Sequence, residues 1–177
     1  AGGLDVGNGA QWHLVNRDDG RLVVLPAAVT GNRETQADPT LPAAVRDCVP
    51  PDRRRLSIAG LALRPAAAAR PHRLYAANEA APRSIEVYDL EPGGGDDAPL
   101  LSWRGCVRFP DDTLPNAVVA LAGGGFIASS FHDPRDTPAA FRRLARGEPV
   151  SSLWHWDPAA GLRRVPGGPL AGANGLA

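Results

Sequence analysis

Read by its hydrophobic and polar positions, the chain is a succession of short apolar or alternating runs cut by Gly, Pro and Asp. Long helical periodicity is nearly absent. Trp12 to Val15 and Arg21 to Leu25 flank Asp18-Asp19-Gly20, a turn signal that predicts a β-hairpin. Further strands are expected at Ser57 to Leu63, Arg73 to Ala77, Ser84 to Leu90 and Leu100 to Phe109. Others follow at Ala117 to Leu121, Gly125 to Ser129, Ser151 to Asp157 and Leu162 to Pro166. One segment, Pro138 to Gly147, has Pro near its start, Ala and Arg inside and a closing Gly, which predicts a short helix. Short strands in succession with few helices predict an all-β fold.

The runs also recur. Gly60-Leu61-Ala62-Leu63 leads into Arg73-Leu74-Tyr75-Ala76-Ala77 and then Ser84-Ile85-Glu86-Val87-Tyr88-Asp89-Leu90. After an offset of about 58 residues, Val118-Val119-Ala120-Leu121 leads into Gly125-Phe126-Ile127-Ala128-Ser129 and Ser152-Leu153-Trp154-His155-Trp156-Asp157. Asn174-Gly175-Leu176-Ala177 follows Asn116 by the same interval. A unit of about four strands at this period fits a β-propeller blade, somewhat longer than the common blade repeats. The 177 residues hold about three such units, approximately 1–55, 56–115 and 116–173, with another opening at 174–177. A closed ring takes roughly four to eight. The expectation is a single propeller domain truncated at both ends, and the lack of Met even at position 1 agrees with it. A complete β-sandwich with coincidental repeats is the competing architecture.

Composition narrows the chemistry. Nineteen acidic residues balance 19 basic ones, which argues against a nucleic-acid partner bound through a broad basic face and against a polybasic membrane module. Every basic residue is Arg, so Schiff-base, phosphate-loop and general-base lysines are all excluded. No apolar run approaches the length of a transmembrane segment. Cys48 and Cys106 match no zinc spacing, leaving a disulfide or two buried thiols. No Gly-x-Ser-x-Gly elbow and no His-Glu-x-x-His occurs, which removes the serine-hydrolase and zincin readings. The Arg53-Arg54-Arg55 run reads as solvated loop, and Gly93-Gly94-Gly95 and Gly123-Gly124-Gly125 read as turns.

From residue 56 onward the motifs resemble the senescence-marker-protein/gluconolactonase and paraoxonase superfamily. The resemblance is carried by Leu61-Ala62-Leu63-Arg64-Pro65, Arg73-Leu74-Tyr75-Ala76-Ala77-Asn78-Glu79 and Ser84-Ile85-Glu86-Val87-Tyr88. It continues in Leu114-Pro115-Asn116-Ala117-Val118-Val119-Ala120-Leu121-Ala122-Gly123-Gly124-Gly125-Phe126 and in Ala173-Asn174-Gly175-Leu176-Ala177. It implies an incomplete six-bladed β-propeller with calcium in the central channel, and hydrolysis of a small-molecule lactone or ester. Members are often exported, which the cysteine pair permits. Asn116 and Asn174 open consecutive units, and their amide oxygens are hard neutral donors suited to calcium; as plain residues they are also common turn formers. The remaining ligands are expected outside the chain.

In an antiparallel unit the start of one strand meets the end of the next. Asn78, Glu79, Ser130, His132 and Asp133 are therefore expected around the same mouth as Asn116 and Asn174. Paraoxonase-like members carry a histidine pair there, and this chain has Ala59 and Glu79 at the two places. The resemblance then leaves Glu79 as a base for water if burial raises its pKa, or as a solvated loop carboxylate, with His132 as a substitute proton carrier. Ala117 stands where a second calcium would need Asp, so a single calcium is expected. His13, His72 and His155 are assigned structural roles. The rival functional reading is a catalytically degenerate propeller that serves as a binding scaffold.

Overall fold

The structure is a computed structural model that describes residues 11–15, 22–26, 41–51, 56–66, 71–91, 100–167 and 170–176. The Asp18-Asp19-Gly20 turn, the Arg53-Arg54-Arg55 run and Gly93-Gly94-Gly95 lie outside the described residues. Strands β1 (Gln11–Val15) and β2 (Leu22–Pro26) pair antiparallel, as the alternation on either side of the turn predicts. A one-turn helix, α1 (Ala43–Arg46), precedes the first larger sheet. That sheet runs β3 (Ile58–Arg64), β4 (His72–Asn78), β5 (Ser84–Glu91), β6 (Leu100–Arg108), each strand antiparallel to the next. A second four-stranded meander follows the same order in β7 (Pro115–Ala120), β8 (Phe126–Ser130), β9 (Ser152–Asp157) and β10 (Gly161–Arg164). The fold is therefore mostly β, in sheets of the size that the repeat predicts.

The helix expected after Pro138 spans Thr137–Ala145 (α2) and lies between β8 and β9. A 3₁₀ turn, Pro134–Asp136, leads into it. Asp136 accepts a hydrogen bond from the Ala139 N–H at 3.0 Å, satisfying one of the donors that a helix start leaves open. Gly147, at φ +73°, takes the chain out of the helix in a conformation that suits glycine. No helix among the described residues is long and apolar enough to cross a membrane.

Strands β4 and β5 are buried on both faces, and β5 carries its polar Ser84, Glu86 and Asp89 inside the sheet. Tyr75, Ala77, Ile85 and Val87 share one core with Val118, Phe126, Ala128 and Trp156 of the second sheet. Leu74, Ala76, Tyr88 and Leu90 occupy the opposite face with Leu101, Trp103 and Cys106. A bulge between Val87 and Tyr88 shifts the β6 register, which lets Trp103 and Cys106 share that face despite their spacing. Gly105 sits in this bulge at φ +147°, and the Val45 carbonyl of α1 rests where a Cβ would be. Cys48 and Cys106 form a disulfide with Cα atoms 5.6 Å apart, tying the segment after α1 to β6. The alternative of two buried thiols is thereby set aside. Asp89, also buried, accepts from Arg73 at 2.8 Å and from Arg104 at 2.6 Å, so its charge is matched across three strands.

The two sheets meet through β3 and β7. A Cβ on Gly60 would collide with the Asn116 carbonyl oxygen, and Ala117 is its next neighbour. Above this contact Tyr75 lies 5.5 Å from Phe126, which stacks on Trp156 at 5.4 Å. The Tyr75 hydroxyl donates to the Gly124 carbonyl at 2.7 Å, joining the first sheet to the β7–β8 turn.

Two stability measurements check this account. Gly60→Ala is expected to cost about 1–3 kcal/mol in urea unfolding, because backbone rather than a movable side chain blocks the new methyl. Gly123→Ala, with open space around it, is the control and should stay within about 0.5 kcal/mol. Removing the disulfide as a Cys48→Ser, Cys106→Ser pair should cost about 2–4 kcal/mol, since it closes a loop of 58 residues.

Candidate functional site

Antiparallel pairing brings the openings of β3 and β7 to the same end as the last residues of β4 and β8: Ile58 pairs with Asn78, and Pro115 with Ser130. Each opening is bulged, between Ile58 and Gly60 and between Pro115 and Val118, so ladder bonds there are replaced by side chains. In the first sheet the Ser57 N–H donates to Asn78 Oδ1 at 3.1 Å. In the second, the Leu114 N–H donates to Ser130 Oγ at 3.3 Å, and the Ala117 N–H to Ser129 Oγ at 3.0 Å. The bulge at Asn116-Ala117 turns the Asn116 amide toward the first sheet. Its Nδ2 donates to Glu79 Oε1 at 3.4 Å. Asn116 and Glu79 are both half-buried, and Asn116 Oδ1 accepts no hydrogen bond among the described residues.

The other expected site residues are distributed around this pair. Asn78 is buried, and its Oδ1 accepts from the Ser57 and Ala80 N–H groups, which holds the loop together. Ser130 is buried with its hydroxyl on Leu114. His132 is 5% exposed, with its ring 5.2 Å from Phe131 and 5.6 Å from Phe141. Nε2 pairs with Thr137 Oγ1 at 3.0 Å, and Nδ1 is buried without a hydrogen-bond partner. Asp133 caps the 3₁₀ turn through the Arg135 N–H and grips the Arg135 guanidinium at 2.6 Å, which holds its carboxyl below the usual range. Asn174 is exposed, just after Ala173, whose N–H donates to Ser151 Oγ at 2.9 Å. Ser151 Oγ in turn donates to the Phe131 carbonyl, so Asn174 follows a segment tied to the His132 loop.

Several groups at this end had no place in the sequence reading. Glu86 is 3% exposed and accepts from Ser84 Oγ at 2.5 Å and Trp103 Nε1 at 2.8 Å. Burial pushes its carboxyl above the usual range, against the opposing pull of these bonds, Asn78 and the nearby Arg108. A cavity of about 160 Å³ borders it, walled by Pro50, Pro82 and Arg108 among others. The alternation of Ser84-Ile85-Glu86-Val87-Tyr88 signalled Glu86, because it puts the carboxylate on the face of Tyr88 and Leu90. Thr137 and Arg83 carried no such signal.

Among the described residues no three His, Cys, Asp or Glu side chains form a group able to hold a metal. The Asn116 amide and the Glu79 carboxylate meet here, and among the described residues no hydrogen bond joins the Asn174 amide to either. In chemical type these oxygen donors suit a hard cation, and in number they fall short of the ~6–8 oxygens calcium takes.

No family model matches the chain, and no curated protein sequence matches it.

Burial holds the His132 imidazole below its ordinary value, opposed by the nearby Glu79 and Asp133 carboxylates and reinforced by Arg83. The unfolded chain therefore takes up a proton near pH ~6.5 that the folded chain resists, so stability present above that pH falls as the solution is acidified. Urea unfolding at a series of pH values should show this loss, and His132→Phe should flatten it between neutral pH and the folded-state value. An unchanged slope in the variant would place the acid sensitivity elsewhere.

Proposed function

We propose that the chain is part of a six-bladed β-propeller hydrolase of the gluconolactonase and paraoxonase type, acting on lactones or esters at the shared end of the two sheets. The observation that carries this reading is the Glu79 carboxylate set against the Asn116 amide across the two sheets at 3.4 Å. It joins a base for water to an oxygen donor that retains an open acceptor position. Two successive antiparallel meanders, touching through their first strands at Gly60 and Asn116, support the propeller arrangement.

In this reading Asn116 and Asn174 would hold calcium, with Glu79 beside them and the remaining oxygens coming from outside the described residues. Calcium, when bound, polarises a carbonyl and lowers the pKa of water. Glu79 accepts the proton of the attacking water, whose oxygen adds to the carbonyl carbon. The C–O bond then breaks, and the leaving oxygen takes back the proton. Asn116 positions Glu79 by donating Nδ2 to Oε1, so the carboxylate is oriented before substrate arrives. His132 is buried and engaged with Thr137, which suits it to supporting the mouth.

The test is hydrolysis of aliphatic lactones and aryl esters by the full chain, with and without a chelator. Chelation is expected to abolish turnover, and Glu79→Gln to lower kcat by about 10²–10⁴-fold. Asn116→Ala should weaken calcium binding as well as turnover. Calcium binding with no turnover of any member of the panel would overturn the hydrolase and favour the scaffold.

A further inference from the structure

Arg83 stands opposite Glu79 across the β4–β5 connection. Asn78 pairs with Ser84 as the last pair of the ladder, and Glu79 and Arg83 are the next residues on either side of the Ala80-Ala81-Pro82 connection. The Arg83 carbonyl accepts the Phe109 N–H at 3.0 Å, which fixes the backbone from which the side chain leaves. Its Nε is buried without a hydrogen-bond partner, and the guanidinium forms no ion pair among the described residues. Arg73 and Arg104 close on Asp89, Arg135 on Asp133, and Arg143 and Arg146 on Glu148. Arg64 and Arg108 form no ion pair among the described residues either, but of the described arginines only Arg83 has a buried nitrogen left without a partner. A buried guanidinium N–H left open is costly unless an anion completes it. The charge of Arg83 is also felt at His132, which agrees with its facing the mouth.

We propose that Arg83 anchors a carboxylate carried by the substrate, so that the site takes lactones or esters bearing an anionic group. The planar fork of an arginine matches a carboxylate with two parallel N–H bonds. Glu79 repels the same carboxylate, and the anionic group is thereby directed to the Arg83 side, leaving the carbonyl toward Glu79 and Asn116. This substrate assignment rests on the hydrolase reading; the anion site itself does not.

The experiment has two arms on the full chain. In the first, kcat/KM is compared for a γ-lactone and the same ring carrying a carboxylate. The carboxylated ring is expected to be preferred by about tenfold or more, mainly through KM. Arg83→Gln should erase the preference, lowering kcat/KM for the carboxylated ring far more than for the neutral lactone, and Arg83→Lys, which keeps the charge and loses the fork, should retain part of it. Equal kcat/KM values in the unaltered protein, or equal loss on both substrates in either variant, would overturn the assignment. In the second arm, calorimetry measures binding of the ring-opened hydroxy-dicarboxylate, which requires no turnover. Binding that weakens about tenfold in Arg83→Gln upholds the anion site even where neither lactone is hydrolysed, and in that case the hydrolase reading alone falls. Binding unaffected by Arg83→Gln and Arg83→Lys overturns the anion site.

Discussion

Much of this structure depends on one close backbone approach between its two sheets, Gly60 against the Asn116 carbonyl. Any side chain on Gly60 would force β3 away from β7. The aromatic column of Tyr75, Phe126 and Trp156 could then no longer close, because its spacing depends on the separation of the sheets. The same approach brings the candidate site residues together. Asn116 belongs to the second sheet and Glu79 follows the first, so their amide–carboxylate contact exists only while β3 and β7 touch. Packing and candidate chemistry thus hang on one missing methyl group.

Charge is managed differently on the two faces of the first sheet. Asp89 is neutralised by two arginines from the flanking strands, a fully paired arrangement that costs little once formed. Glu86 is held by neutral donors from Ser84 and Trp103, with the Asn78 amide nearby, and burial favours its protonated form. Asn78 therefore links two jobs. Its Oδ1 organises the chain leading to Glu79, and the amide opposes protonation of a carboxyl inside the sheet.

Much of the strand content was legible because period-2 alternation and β-branched or aromatic residues report directly on a pleated, half-buried surface. Strand ends were read to within a residue or two, and α2 was visible from its Pro, Ala and Gly positions. The 58-residue offset was legible for a similar reason, since Ala62 against Tyr75 and Ala120 against Phe126 are register-equivalent pairs. What escaped depends on partners remote in sequence. Nothing near Asn116 announces that Ser129 will hold a bulge open, or that Gly105 will receive α1. Asp133 reads as a mouth carboxylate until Arg135, two residues on, folds back on it. The burial of His132 requires Phe141, which reaches it only once α2 has docked.

The Cys48–Cys106 bond encloses β3, β4, β5 and nearly all of β6 in a covalent loop, whereas no disulfide closes the second sheet. Mechanical tension along the chain would peel β10, β9, β8 and β7 away while the looped sheet keeps its connectivity until a reductant opens it. Glu79 would then remain on a folded platform with Asn116 stripped from its side. Separation of the Glu79–Asn116 contact would thus precede loss of the disulfide-closed sheet, and release of the tension would let the contact re-form.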